Sequence, residues 1–136
     1  MNRGEGLVIR EFKSIEGIDL IVKSRKSAVF FEVEGQQIYG CSFEFSPKVF
    51  AELVEYLQAV ATVAWENFVP KEADSLASDY FEYYDKEFDN NGYIAYRNRW
   101  IHLERPSLES PRFYKFNKRK MESFLFDLKK YKEAPQ

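Results

Sequence analysis

The sequence is short of the residues that most often carry chemistry. Among 136 residues there is one cysteine, Cys41, and one histidine, His102. A lone cysteine excludes an internal disulfide and points to a reducing setting. Zinc or iron would need His102 plus carboxylates, and no spacing supports such a ligand set. The six glycines are scattered, so no glycine-rich phosphate loop is present. No window approaches the roughly twenty apolar residues that span a bilayer. The opening MNRGEGLVIREF also lacks the apolar run of a signal peptide. The expectation is a cytoplasmic protein with no membrane contact and no metal or other cofactor.

The same scarcity limits catalysis. A serine or cysteine nucleophile would have to rely on His102, and no nucleophile elbow surrounds Cys41 or any serine. Carboxylates crowd residues 72–89, but a crowd on one amphipathic segment is a solvated face. An acid–base pair needs a shielded cleft and separated pKa values. A non-enzymatic protein is predicted.

Aromatic residues are plentiful: thirteen Phe, nine Tyr and two Trp make 18% of the chain. They suit a dense core, and exposed ones can stack on ligands or bases. The net charge of −2 hides a polarised sequence. Residues 1–49 carry seven basic and seven acidic groups, and residues 50–91 carry two and ten. Residues 92–120 then carry eight basic and two acidic groups.

Short runs rich in β-branched and aromatic residues predict strands at LVIREF, GIDLIVK, AVFFEVE and QIYGCSFEF. In the last run Tyr39, Cys41, Phe43 and Phe45 share one face, and Glu34–Gln37 supplies a hairpin turn before it. Ser46-Pro47 reads as a helix cap followed by proline at the first helical position. Phe50, Leu53, Leu57, Val60 and Ala64 then repeat at helical spacing to about Phe68. Ala73, Leu76, Ala77, Tyr80, Phe81, Tyr84 and Phe88 also fall on one helical stripe, which predicts an acidic helix over about 71–88. Tyr and Phe suit a strand there equally. GYIAY, RWIHLE and RFYKF are read as strands, a last helix runs from Asn117 to Tyr131, and KEAPQ frays.

FDNNGYI, residues 88–94, resembles the centre of a calcium loop. With Gly92 at loop position six, Glu87, Asp89 and Asn91 fall at one, three and five. Position twelve is Asn98 between Arg97 and Arg99, where a bidentate carboxylate is needed. The stretch therefore reads as punctuation: the end of a helix, or a hairpin turn if 80–88 is a strand.

Two junctions match. Phe43-Glu44-Phe45-Ser46 and Tyr114-Lys115-Phe116-Asn117 are each an alternating strand ending at a helix cap. The apolar residues Phe50, Leu53, Val54 and Leu57 then match Met121, Phe124, Leu125 and Leu128 in spacing. The prediction is one α+β domain over 1–136, an antiparallel sheet-then-helix unit occurring twice, with halves at about 7–68 and 92–133. The first unit holds about four strands and the second about three.

Residues 96–120 interleave rings and cations: Tyr96, Arg97, Arg99, Trp100, His102, Arg112, Tyr114, Lys115, then Lys118, Arg119 and Lys120. Cations can track phosphates while rings stack on bases, so this stretch is the candidate site for single-stranded nucleic acid. The last helix also opens on three cations, where the helix dipole favours negative charge. A bound phosphate would relieve that conflict, and so would an acidic segment of the same chain.

FEFSPKVFAELVEYL and YKFNKRKMESFLFDL, each a strand running into a helix, resemble the Whirly and transcriptional-coactivator group of single-stranded-DNA-binding proteins. The resemblance lies in outline over roughly 7–68 and 92–133. It implies twisted antiparallel sheets, helices packed on one side, strand faces for single-stranded nucleic acid, and oligomerisation through helices. A homo-oligomer such as a dimer is thus among the expectations. A second reading is a protein-interaction module, such as an inhibitor, immunity or regulatory protein. It would meet a basic protein partner through Asp79, Tyr80, Glu82, Tyr83, Tyr84 and Asp85.

Overall fold

The computed structural model describes residues 7–34, 38–73 and 79–133. The chain is α+β, and the described residues form two four-stranded antiparallel sheets and two helices. Strands β1 (Val8–Lys13), β2 (Asp19–Arg25), β3 (Ala28–Glu32) and β4 (Gly40–Glu44) precede α1 (Pro47–Ala64). Strands β5 (Glu82–Asp85), β6 (Asn90–Arg97), β7 (Trp100–Glu104) and β8 (Tyr114–Phe116) precede α2 (Lys118–Glu133). The order in the first sheet is β1-β2-β3-β8, and in the second β4-β7-β6-β5. Each sheet thus takes three strands from one half of the chain and its fourth strand from the other half.

Local chemistry explains the helix starts. The Ser46 hydroxyl accepts from the Val49 N–H at 3.2 Å, and Pro47 occupies the first turn. The Asn117 side-chain oxygen accepts from the Lys120 N–H at 2.8 Å. α1 ends at Ala64, earlier than its apolar spacing predicts. Trp65 is extended there, at φ −133° and ψ 134°, and its ring stacks on Phe68 at 6.0 Å.

Both helices line the inside of the sheets. Phe12 on β1 meets Tyr56 on α1 with ring centroids 5.5 Å apart. Phe124 on α2 touches Phe31 and Phe116 of the first sheet and Tyr80 and Tyr96 on the side of the second. One ring therefore joins both sheets. Of the four residues expected to share a face before α1, Cys41, Phe43 and Phe45 are buried. Tyr39 is exposed instead, with its hydroxyl donating to the Pro106 carbonyl at 3.4 Å.

The segment expected as an acidic helix is the largest correction. Residues 79–81 form a bend, Glu82–Asp85 form β5, and residues 86–89 form a turn. Residues 74–78, with Leu76 and Ala77, lie outside the described residues, as do Gly35–Gln37 and the tail from 134 onward. Pairing with β6 supplies every second backbone group of β5 with a partner, and Tyr and Phe suit a pleated, half-buried surface. The second unit consequently has four strands, one more than the sequence predicts.

FDNNGYI is a hairpin, but the turn sits earlier than its asparagines suggest. The Asp85 carboxylate accepts from the Glu87 and Phe88 N–H groups at 3.0 and 3.3 Å, and Asp89 takes a left-handed φ of 50°. Asn90, Asn91 and Gly92 are the first residues of β6. A Cβ on Gly92 would lie 2.3 Å from Tyr83 Cε1 and 2.9 Å from the Phe113 carbonyl oxygen. Glycine is required there by close approach rather than by a turn. Among the described residues no cluster of three or more His, Cys, Asp or Glu is placed to hold a metal ion.

Candidate functional site

The basic and aromatic stretch 96–120 does not form one surface. Strand exchange sends β7 to the second sheet and β8 to the first, so the stretch divides into three places. Of the candidate rings Tyr96, Trp100 and Tyr114, Tyr114 is fully buried, its hydroxyl donating to the Tyr80 carbonyl, and Tyr96 is half-buried, packed against Tyr80 and Phe124.

The first place is the β6–β7 hairpin. Arg97 and Trp100 close it, with Asn98 at φ 55° between them. Trp100 is 42% exposed, and an open recess lies between Arg97, Asn98 and Trp100. Arg99 turns back, donating through Nε to the Phe45 carbonyl at 3.1 Å. His102 lies further along β7 on the outer face. Its Nδ1 is 2.8 Å from the Ser42 hydroxyl and its Nε2 is 3.1 Å from Glu104.

This serine–histidine–glutamate chain is invisible in the sequence, where its members are up to 62 positions apart. The three residues stand on an open sheet face, with half-exposed side chains at His102 and Glu104. Acyl transfer would also need donors aimed at an oxyanion and a cleft that excludes water. Cys41 is no better placed as a nucleophile, since burial pushes its thiol pKa up, with Glu16 adding to the effect.

The second place is the start of α2. Arg119 pairs with the Asp79 carboxylate at 3.2 Å, and the Lys120 ammonium donates to the Asp79 carbonyl at 3.1 Å. Burial lowers the Lys120 pKa, against the pull of Asp79 and Glu82. The dipole conflict read from the sequence is thus relieved by a carboxylate of the same chain. Lys118 remains beside a shallow recess that also contains Lys71, Glu72 and Glu122. Glu122, a buried carboxylate of α2, pins the segment after α1 by accepting from the Val69 N–H at 3.1 Å and pairing with Lys71 at 3.8 Å.

The third place is the outer face of the first sheet. The register aligns Ile9, Lys23, Phe30 and Lys115 in one row across all four strands. Phe30 is only 4% exposed yet stands outside the main core. Cations cover it. Arg25 and Arg112 lie 5.0 and 5.2 Å from the ring centroid, and Lys115 lies at 5.9 Å. Lys23 pairs with Glu32 at 2.8 Å, and Arg112 pairs with Asp85 at 3.3 Å. β8 ends beside the start of β3, so Lys118 leaves the sheet at the same end as Arg25 and Lys26. Sequence reasoning misses Lys23 and Arg25 because charges over 1–49 cancel in a count. The signal lies in the alternation of β2, which puts Ile21, Lys23 and Arg25 on one side.

The six residues expected as an acidic protein-binding face are also divided. Tyr80, Tyr83 and Asp85 are buried, while Glu82 and Tyr84 are exposed and Asp79 pairs with Arg119. Asp85 accepts from the Tyr83 hydroxyl at 3.0 Å and holds Arg112. It is an internal anchor between the two sheets, not part of a free surface. Tyr84 donates to Asp89. Among the described residues no helix is long and apolar enough to cross a membrane. No family model, no curated protein and no solved structure matches this chain.

Proposed function

We propose that the protein is a non-enzymatic binder of single-stranded nucleic acid, held by the outer face of the first sheet. The row Lys23–Phe30–Lys115, with Arg25 and Arg112 gathered over the same ring, carries this reading. Phe30 acts as a buried post, with the guanidinium groups of Arg25 and Arg112 and the ammonium of Lys115 gathered over its face. Lys115 and Arg25 are exposed, and Lys26 and Lys118 extend the same end of the sheet.

The shape favours a single strand. A duplex is read by a helix or ribbon that enters a groove, whereas these cations spread over a broad sheet face that a flexible strand can follow. Stacking contributes less than residues 96–120 suggest, because Tyr114 is buried, Tyr96 is half-buried against the core and Trp100 stands on the other sheet. A cytoplasmic setting accords with the lone, buried Cys41.

Fluorescence anisotropy with a labelled oligothymidylate, repeated with a duplex of equal length, tests this. Affinity for the single strand should fall roughly 50-fold between 50 and 200 mM salt if about four phosphates are neutralised. Absence of binding at the lower salt, or equal affinity for the duplex, defeats the proposal.

A further inference from the structure

The second sheet leaves uncovered what the first sheet covers. Glu82, Tyr93, Glu104 and Gly40 align in one row across β5, β6, β7 and β4. The Tyr93 ring therefore has a carboxylate strand neighbour on each side. Phe81, 51% exposed, leans against it with centroids 5.6 Å apart and planes at 57°. The two rings form one wall of a recess of about 230 Å³, and Ile94, Ala95, His102 and Glu104 form the rest. His102 Nε2 fixes one oxygen of Glu104 at 3.1 Å. The small side chain of Ala95 keeps the floor low. Among the described residues, no lysine or arginine lies over either ring.

We propose that this corner receives a lysine or arginine side chain from a basic segment of a partner protein. Two tilted ring faces attract an organic cation through their quadrupoles, Glu104 in the recess supplies its counter-charge, and Glu82 beside Tyr93 adds to the negative field. An apolar occupant would strip water from Glu104 without replacing its hydrogen bonds. An anion would be repelled by both carboxylates. The source is a protein because the rings continue beyond the recess. Tyr84, 59% exposed, stands on the same outer face of β5 as Glu82, offering an aromatic anchor of the kind protein interfaces use. This site lies on the sheet opposite the proposed nucleic-acid face and does not depend on it.

The test uses the full chain, labelled for amide NMR, and a six-residue peptide of alternating glycine and arginine. A control peptide carries citrulline, which keeps the shape and removes the charge. The arginine peptide should shift the amides of Tyr93, Ala95, His102 and Glu104, and the citrulline peptide should not. Glu104→Gln combined with Glu82→Gln should weaken the arginine peptide about tenfold. Tyr93→Ala should weaken it similarly, and oligothymidylate affinity should stay unchanged in both variants. The glutamine pair preserves shape and so separates recognition from folding. Equal shifts with citrulline, shifts spread over acidic surface elsewhere, no shift at millimolar peptide, or undiminished binding by the glutamine pair would each overturn the assignment.

Discussion

The outer faces of the two sheets are built on the same plan and finished oppositely. Counting from the closing pair of each long hairpin, Arg25–Ala28 and Arg97–Trp100, the strands can be read side by side. Lys23 and Phe30 on the first sheet stand where Ala95 and His102 stand on the second. Ile21 and Glu32 stand where Tyr93 and Glu104 do. The first face surrounds one sunken ring with cations of its own; the second exposes several rings beside carboxylates. Inside, both sheets present rings and aliphatic groups to a common core. Burial imposes similar chemistry on the inner faces, and solvent permits divergence on the outer ones. That divergence is where function is sought.

The largest expected effect tests whether the inner faces act as one. Burial raises the phenol pKa values of Tyr80, Tyr83 and Tyr114, with the neighbouring carboxylates Asp127, Asp85 and Glu82 adding to the shift. The unfolded chain releases these protons near pH 10 while the folded chain keeps them. Their contribution is complete below that pH and is lost above it, by up to about 1.4 kcal/mol per pH unit for each tyrosine. Tyr83 and Tyr114 are in ring contact at 5.0 Å and belong to different sheets. Tyrosinate absorbance and circular dichroism should therefore change together in one alkaline transition. Three phenols titrating smoothly in a folded chain would separate the sheets.

Asp85→Ala comes next, because this buried carboxylate links the faces. The substitution removes the acceptor for Tyr83, Arg112 and two turn amides. The loss should be about 3 kcal/mol in urea denaturation. Arg112 should then be free to leave the Phe30 ring.

The contrast between the outer faces is sharpened by reversing charge on one alone. Lys23→Glu, Arg25→Glu and Lys115→Glu together should weaken oligothymidylate binding at least about 100-fold, or about 2.7 kcal/mol. Trp100→Ala on the other sheet should change it by less than about threefold, or roughly 0.7 kcal/mol. A loss with Trp100→Ala as large as with the triple variant would relocate the strand to the second sheet. The smallest effect concerns stability. Phe30→Ala should cost about 2 kcal/mol in thermal melts because the ring is covered, and Trp100→Ala under about 1 kcal/mol because half of its surface is already wet.

Much of the local structure is legible in the sequence. Runs of β-branched and aromatic residues locate seven of the eight described strands, and Ser46 and Asn117 mark both helix starts, since capping and pleating act over a few neighbouring residues. The stretch 79–88 misleads because Tyr80, Phe81 and Tyr84 fit a helical stripe as well as a pleated face. Only the pairing partner β6 resolves that ambiguity. The candidate nucleic-acid site is half legible. The basic stretch 96–120 singles out Arg112 and Lys115 but not Lys23, Arg25 and Phe30, which join that site only through sheet register. The carboxylate of Asp79 beside Arg119 likewise reads as one more acidic residue until α2 is brought against it.

By itself the sequence determined the α+β class, the two strand-to-helix junctions and the aromatic interior, all set by short-range spacing and side-chain size. The tertiary structure decided which cations share a face, which tyrosines reach water and which charges cancel. Those outcomes follow from β4 and β8 crossing to the opposite sheet. Such pairings join residues far apart in the chain: local alternation sets which face of a strand is buried, but not which distant strand lies beside it.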